Sequence, residues 1–440
     1  MSPSQFDQNP VVAMRSDSRR PHVAIVGGGI AGLALAIGLN RANVSYTLYE
    51  ASPAFTTVGA GISIGPNALR AMDLLEPRLT EPYRGISSGN RVAGKEHVFF
   101  DLMLAEKGLG DSRGFRGAAI ESEHFIKSTA HRHDLMRIME ELLPADSLKL
   151  GKRAVGVSQD EGKAAKVTFE DGEVIEADVV IGCDGGKGIT RKAVLGDTFP
   201  SEVDVSYANR YVYRAVIPSG KAQEILGEYA GSGRIFMGHG HYVMFYELSD
   251  GRYNLVAGVQ DGKPWTQAKW TYEVSREEMM ADFEGCDSRL LELFAWTEPL
   301  RWGLFHHPQT STYVQGRVAL LGDVAHASTP HQGAGAGQGF EDALILSHLL
   351  GLVDGDDAKV DAALKVYDDM CRPRGQKIVL TSDETGTMYT LSHPEYGDDI
   401  ERLIEACSHR FLWIWAHDLE ADLKEAENRL QEACGMCEDK

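Results

Sequence analysis

The sequence predicts an α/β chain in which a doubly wound, Rossmann-like cofactor domain is interrupted by a β-rich insertion and followed by helices. Three observations lead there. "HVAIVGGGIAGLALAIGL" near the start reads as strand, glycine turn and helix, and "RVALLGDVAHASTPHQGAGAGQGFEDALIL" repeats that order about 300 residues later. Between about 205 and 305 the chain is dominated by alternating strands. Strands and helices in alternation around a parallel sheet, broken by a block of strands, make an interrupted two-domain fold.

In the first unit, "HVAIV" is apolar and β-branched throughout, as a strand buried on both faces requires. "LALAIGL" repeats apolar residues at helical spacing, and "VSYTLYE" returns to an extended pattern ending on Glu50. "TTVGAGISIGPNALRAMDLL" reads as a glycine-rich loop entering a helix, with Asn67 as its candidate cap. "HRHDLMRIMEELL" has amphipathic helical spacing. "AVGVSQ", "AKVTFE" and "ADVVIG" follow as short strands separated by the turn signals "DEGK" and "EDGE". The block containing "ANRYVYRAVIP", "HYVMFYEL" and "YNLVAGV" is read as a sheet, interrupted by helices near 276–284 and 288–295. Helices then run to "RFLWIWAHDLEADLKEAENRLQEA". The order divides the chain into a flexible arm (1–20), a cofactor domain in three parts (21–93, 126–203, 310–395), an insertion in two parts (94–125, 204–309) and C-terminal helices (396–440).

Size and charge bound the function. A chain of 440 residues exceeds the usual single-domain ceiling. Its net charge of -20 argues against nucleic acid, whose phosphates need clustered Lys and Arg. No apolar run is long enough to cross a bilayer, and Trp413 and Trp415 lie in a helix that soon turns acidic, which disfavours membrane attachment. The opening "MSPSQFDQNPVVAMRSDSRRP" lacks the apolar core of a signal peptide. Six scattered cysteines suit a reducing, cytoplasmic setting; Cys434 and Cys437 of "CGMC" stand alone at an acidic end. His239 and His241 have no third ligand at metal spacing, so no metal site is expected.

Gly27, Gly29 and Gly32 form G-x-G-x-x-G between strand and helix. The first permits the turn, the second lets backbone approach a pyrophosphate, and the third lets helix and strand pack closely. Glu50, eighteen residues beyond Gly32, stands where a ribose diol is held. "ADVVIGCDGG" delivers Asp184 and Gly185 to a turn, either as an ordinary strand end or as a cofactor contact. In the late unit, Asp323 ends an apolar strand, and Gly322, Gly333, Gly335, Gly337 and Gly339 surround a loop entering a helix. A simple NAD enzyme needs one such loop. Two fit FAD, with adenosine at the first and ribityl chain and flavin at the second; the later helix, read as starting near Gly337, would aim its positive end at the flavin.

Taken together, "VGGGIAGLALAIGL", "IGCDGGKGITR" and "LLGDVAHASTPHQGAGAGQGFEDA" resemble the single-component flavoprotein aromatic hydroxylases, the salicylate and p-hydroxybenzoate hydroxylase family. "WIWAHDLEADL" is similar to the fungal salicylate-hydroxylase-like branch, and the likeness runs from about 21 to 430. The resemblance implies FAD contacts at Gly27, Gly29 and Gly32 with Ile30 and Ala31 between them, and at Glu50 with Ala51. It adds Gly61, Asp184 and Gly185, and in the late loop Asp323, Pro330, Gly333, Gly335 and Ala336. Arg132 of "HRHDL" is either a further FAD contact or a helix-surface charge. Two positions depart from the family: Gly188 stands where a serine usually follows the Asp-Gly pair, and Glu247 follows Tyr246 where proline is common.

The resemblance further implies that NAD(P)H, docking transiently, reduces the flavin, and that O2 then forms a flavin hydroperoxide that attacks a small phenolic substrate. Dearomatised and decarboxylated products both occur within that scope. The competing readings are a flavoenzyme that oxidises or epoxidises a non-aromatic substrate and a nucleotide-binding module without oxygen chemistry. On "YVYRAVI" Arg214 shares a face with Val212 and Val216, so it is either paired with a buried carboxylate or facing a ligand. Tyr246 shares a face with Tyr242 and Met244, as plain core or as a pocket wall. Arg214 and Tyr246 are the candidate catalytic pair, with Tyr242, Met244 and His331 as further substrate contacts. His326 is read as loop packing.

Overall fold

In the computed structural model the described residues are 12–13, 20–55, 61–90, 92–160, 164–353 and 355–435. Apart from 12–13 and Arg20, the expected arm lies outside them, as does Cys437. The backbone of Val12–Ala13 pairs in parallel with Ile175 and Glu176, so this part of the arm sits at a sheet edge.

The cofactor domain is built on a six-stranded sheet. His22–Val26 lies between Ser45–Glu50 and Val179–Gly182, and Val318–Leu320 and Leu148–Leu150 extend it on either side, all in parallel. Only the two-residue edge strand Val314–Gln315 is antiparallel. Every residue of "HVAIV" is buried, as the unbroken apolar run requires. Strands from three distant parts of the chain thus end side by side, and each of the three motif turns leaves the same edge.

A second, eight-stranded sheet takes strands from both parts of the expected insertion. Its order is Thr271–Glu273, Leu300–His306, Ser206–Ile217, Tyr253–Gln260, His241–Glu247, Arg234–Gly238, Val98–Leu104 and Ala118–Glu121. All neighbours are antiparallel except Arg234–Gly238 beside Val98–Leu104. Two smaller sheets complete the β structure: Ala154–Gln159, Ala165–Phe169 and Val174–Ala177 joined by Val12–Ala13, and the pair Gly61–Ser63 with Thr129–His131.

The helix Ile30–Arg41 is apolar on nearly all sides and is buried accordingly. It packs against Gly335–Leu352 with little space to spare. A Cβ on Gly38 would overlap Ser347 Oγ, one on Gly322 would come within 2.7 Å of Ala31 Cβ, and one on Gly339 within 3.1 Å of the same atom. Small residues on both sides let the two helices that follow the two glycine loops touch almost backbone to backbone. From Gly335 onward the described chain is helical apart from its connections, through Asp357–Tyr389, Ile400–Arg410, Leu412–Trp415 and Leu419–Ala433.

One local expectation changes. The helix after the first loop is Pro66–Leu75 with Gly65 as its cap residue, so Asn67 lies inside the first turn. Pro66, with its fixed φ, takes the first helical position ahead of it, and the Asn67 amide donates instead to Glu341 Oε1 at 2.6 Å. Trp415 is 6% exposed and stacks on Phe411 and against Phe99 and Phe125, so it belongs to the core and not to a membrane-facing surface. Among the described residues no helix is long and apolar enough to cross a membrane.

Gly38→Val tests the helix contact. Overpacking at this seam should lower stability by roughly 1–3 kcal/mol and loosen FAD together with it. Thermal melting followed by both circular dichroism and flavin release checks this; an unchanged melting temperature would contradict the tight packing.

Candidate active site

The first glycine turn is closed by its own side chains. Gly27 has φ +109° and takes its place against the Cys183 carbonyl, where a Cβ would overlap. Gly29 has no atom within 4 Å of a hypothetical Cβ, so its backbone faces open space. Glu50 accepts from the Gly28 N–H at 2.7 Å and from the Ser52 N–H at 2.7 Å, tying the turn to the end of the neighbouring strand. Gly28, which the motif spacing passes over, lies so close to Phe55 and Glu50 that a side chain there would meet Phe55 Cε1 at 2.6 Å.

Asp184 faces the same turn. With Gly27, Gly29, Glu50, Ala51 and Gly185 it lines a cavity of about 310 Å³. Its carboxylate accepts from Thr190 N at 3.1 Å and Thr190 Oγ1 at 2.5 Å, starting the helix Thr190–Leu195. Burial raises its pKa, against those hydrogen bonds. A Cβ on Gly188 would overlap this carboxylate, which gives a physical reason for glycine at that departure from the family pattern.

The late motif differs in detail from expectation. The strand ends at Leu320, and Asp323 opens a short helix, Asp323–His326, after Gly322 turns the chain with φ +77°. The long helix begins at Gly335, half a turn before Gly337, because a single turn at Pro330–Gln332 and Gly333 with φ +61° re-aim the chain sooner. Three buried polar contacts fix these turns. Arg191 is 1% exposed and donates to the carbonyls of Val324, Ala325, Glu202 and Gln309, holding the C-terminal end of the short helix. His326 Nε2 lies 2.5 Å from Asp342 Oδ2, which also accepts from the Gly322 N–H at 3.3 Å. Burial opposes charge on His326, but Asp342 outweighs it and raises the imidazole pKa. Arg374 pairs with Glu341, the acceptor for Asn67, joining three helices.

Asp323, Pro330, Gly333, Gly335 and Ala336 line a second cavity, of about 470 Å³. Across it stand side chains of the eight-stranded sheet: Arg214, Tyr242, Met244 and Tyr246, with Asn254 and Trp302. Gly61 and His331 line it too. Arg214 is exposed, its guanidinium lies 5.9 Å from the Trp302 ring centre, and it makes no ion pair among the described residues. A buried carboxylate partner for Arg214 is therefore absent there, and Val216 on the same face is 41% exposed, so this face is not the apolar one the sequence implied. Tyr246 is buried, which raises its pKa, while Arg214 pulls the other way. His331 is 1% exposed with both ring nitrogens unpaired, and burial lowers its pKa to about 3. Arg132 opens the helix Arg132–Glu141, is exposed, and lines neither cavity. Glu247 continues its strand in register with Tyr253. His241 contacts Cys286 Sγ at 3.1 Å, and among the described residues no cluster of three His, Cys, Asp or Glu could hold a metal.

Sequence reasoning passed over Phe99, Phe100, Lys127, Trp270 and Trp302, which also line the second cavity. "HVFFDLML" carried a signal of burial but none of which face meets a ligand.

Two cavities, each beside a glycine turn and the N-terminus of a helix, define a flavin-binding oxidoreductase: one suits the adenosine end and the other leaves room for an isoalloxazine ring. Residues 20–382 match the FAD binding domain family, and the chain belongs to it. It is 37% identical over 434 residues to a FAD-dependent monooxygenase of Gibberella moniliformis, across 95% of this chain and 98% of that one. It is 35% identical to a 6-methylsalicylate 1-monooxygenase of Aspergillus terreus, across 93% and 92%, and 37% identical to a salicylate hydroxylase of Pseudomonas putida, across 95% and 97%. A solved salicylate hydroxylase substrate complex superposes with a TM-score of 0.82 at 31% identity, covering 93% of this chain and 98% of that one. FAD is the cofactor, and the protein is a FAD-dependent monooxygenase.

Two variants test the second turn. Asp342→Ala should cost about 3–5 kcal/mol, because it strands a buried charged imidazole. As Asp342 raises the His326 pKa above 6.5, the stabilisation is complete below pH 6.5 and fades as pH rises through the folded-state value, so the gap in melting temperature should narrow at high pH. Asp323→Ala should leave the melting temperature of the FAD-free protein unchanged but weaken FAD binding by roughly 1–3 kcal/mol. Flavin-fluorescence titration showing wild-type affinity would remove Asp323 from the cofactor site.

Proposed function

We propose that the protein hydroxylates a small phenolic ring with NAD(P)H and O2, binding the ring in the second cavity. The observation that carries this reading is the cavity's two faces. The glycine loop that would hold the flavin ring stands on one side, and aromatic side chains with an unpaired arginine stand on the other. Bound FAD supplies the reduction by NAD(P)H and the activation of oxygen.

The protein's own contribution is placement and charge. A phenol attacks an electrophile far better as the phenolate, so a cation at its oxygen both binds it and makes it reactive. Arg214 is the candidate: a guanidinium is a planar cation suited to an oxyanion, and Arg214 makes no ion pair among the described residues. Tyr246, with Tyr242 and Met244 on the same strand face, would set the ring's angle toward the loop at Gly333–Ala336. His331, neutral over the working pH range, would serve as an uncharged wall. In the cofactor half, Gly29, Glu50, Ala51, Asp184 and Gly185 would hold the adenosine side, and Asp323 and the Gly335 helix terminus the ribityl and flavin side. Gly27, Ile30, Ala31 and Gly32 would serve through the turn and the helix start behind it. For Arg132 only the family resemblance supports a cofactor role.

Arg214→Ala and Tyr246→Phe should fold, stay yellow and lose most product, since modest misplacement of the ring costs heavily. The NADPH they still oxidise should appear as hydrogen peroxide. Product analysis by mass spectrometry on salicylate and 6-methylsalicylate, with parallel peroxide measurement, tests this; full product yield from Arg214→Ala would overturn the assignment.

A further inference from the structure

The second cavity holds a cation that the phenolic reading has not used. Lys127 lies in the segment between the strands Ala118–Glu121 and Thr129–His131, and it is 5% exposed although its neighbour Ile126 is 59% exposed. Its Nζ donates to the Phe99 carbonyl at 3.1 Å and sits 4.3 Å from the Phe100 ring centre and 5.7 Å from that of Tyr246. The nearest carboxylate is already engaged: Asp101 accepts from Lys95 Nζ at 2.5 Å and from Ser232 Oγ at 2.6 Å. Lys127 thus has one hydrogen-bond acceptor among the described residues and lines the cavity with donors to spare. Space for the amine is built in, since a Cβ on Gly233 would overlap Nζ.

Resting on the phenolic reading, we propose that Lys127 is the base that takes the phenolic proton of the bound substrate. The O–H bond of the phenol breaks, its electron pair stays on oxygen, and an N–H bond forms on the neutral amine. The products are a phenolate and an ammonium ion, with no change of oxidation state. A lysine amine normally holds its proton far above neutrality, but burial among Phe99, Phe100 and Tyr246 lowers the Lys127 pKa to about 7, against a smaller opposing pull from Asp101. The other charged or titratable groups facing this region are Tyr246, Arg234 beside Asp101, and Arg214, which lines the same cavity. The two basic groups then divide the work. Arg214 stays charged and holds the oxyanion, while Lys127 alternates between neutral and charged and moves the proton.

The test uses FAD-loaded protein and 4-nitrophenol, whose phenolate and phenol differ in absorbance. Difference spectra across pH give the ionisation midpoint of the bound phenol. Wild type should bind it as phenolate at a lower pH than free 4-nitrophenol ionises. Lys127→Met should raise that midpoint by on the order of one pH unit, a tenfold loss of preference for phenolate. Lys127→Arg should keep the phenolate bound yet lose the rise of kcat/KM with pH that accompanies deprotonation of the amine. Gly233→Ala, which keeps the lysine but displaces its end, should shift the midpoint in the same direction and guards against a fold defect in Lys127→Met. A purely structural Lys127 would lower melting temperature or flavin content and leave the midpoint where it was; that result overturns the proposal. If 4-nitrophenol, salicylate and 6-methylsalicylate all leave the wild-type flavin spectrum and NADPH oxidation unchanged, the phenolic reading itself falls and this assignment with it.

Discussion

Everything in the site depends on the contact between two helices that are more than 300 residues apart in sequence. Ile30–Arg41 and Gly335–Leu352 meet through Ala31, Gly38, Gly339 and Ser347, with no room for larger side chains. Glycine within a helix costs about 1 kcal/mol relative to alanine, so these positions spend local stability on proximity. The return is geometric. Two helix N-termini, each with unpaired N–H groups, come to one edge of one sheet, at a spacing set by packing and not by flexible loops. FAD needs both ends of that arrangement at once, which explains why the second strand–loop–helix unit must pack on the first.

Close packing alone would leave the turns free to rock, and buried polar groups remove that freedom. Arg191 reaches from the middle motif to the Val324 and Ala325 carbonyls of the late one, and to those of Glu202 and Gln309. The pair of His326 and Asp342 fastens Gly322 and the Asp323 helix to the long helix behind it. Glu50 does the same for the first turn by accepting from Gly28. None of these charges lines the second cavity. Each is matched inside the protein, where an unmatched one would be costly. Arg214 and Lys127, which line the second cavity, make no ion pair among the described residues.

This separation also explains what the sequence made legible. Cofactor motifs depend on backbone conformation, and backbone demands leave letters: glycine where φ is positive at Gly27 and Gly322, an acid at a strand end, an apolar run for a buried strand. The alternating strand pattern likewise put Tyr242, Met244 and Tyr246 on one face, and all three line one cavity. Asn67 was misread because its preceding proline had already settled the helix start. Only the apolar character of the Arg214 face was misread, because its neighbour Val216 lies near the end of its strand and is 41% exposed. Lys127 left no mark at all. It sits in an irregular segment where apolar Ile126 faces out and the charge faces in, and only the tertiary partners Phe99, Phe100 and Gly233 decide that inversion.

A cavity wall of this composition resolves a conflict built into ring hydroxylation. The ring must be electron-rich, which calls for positive charge near its oxygen, yet the oxygen chemistry beside it must stay away from water. A surface arginine alone would bring solvent with it. Here the solvent-facing cation, Arg214, stands at one side, and the buried amine of Lys127 lines the cavity among aromatic rings, with Trp415 and Phe411 packed on Phe99 from outside. The C-terminal helices therefore reach the chemistry without touching it: by closing the back of Phe99 they keep the amine dry, and dryness is what lowers its proton affinity. The C-terminal helices, which the sequence marks only by Trp413, Trp415 and the acidic stretch after them, are on this account part of what tunes the proposed base.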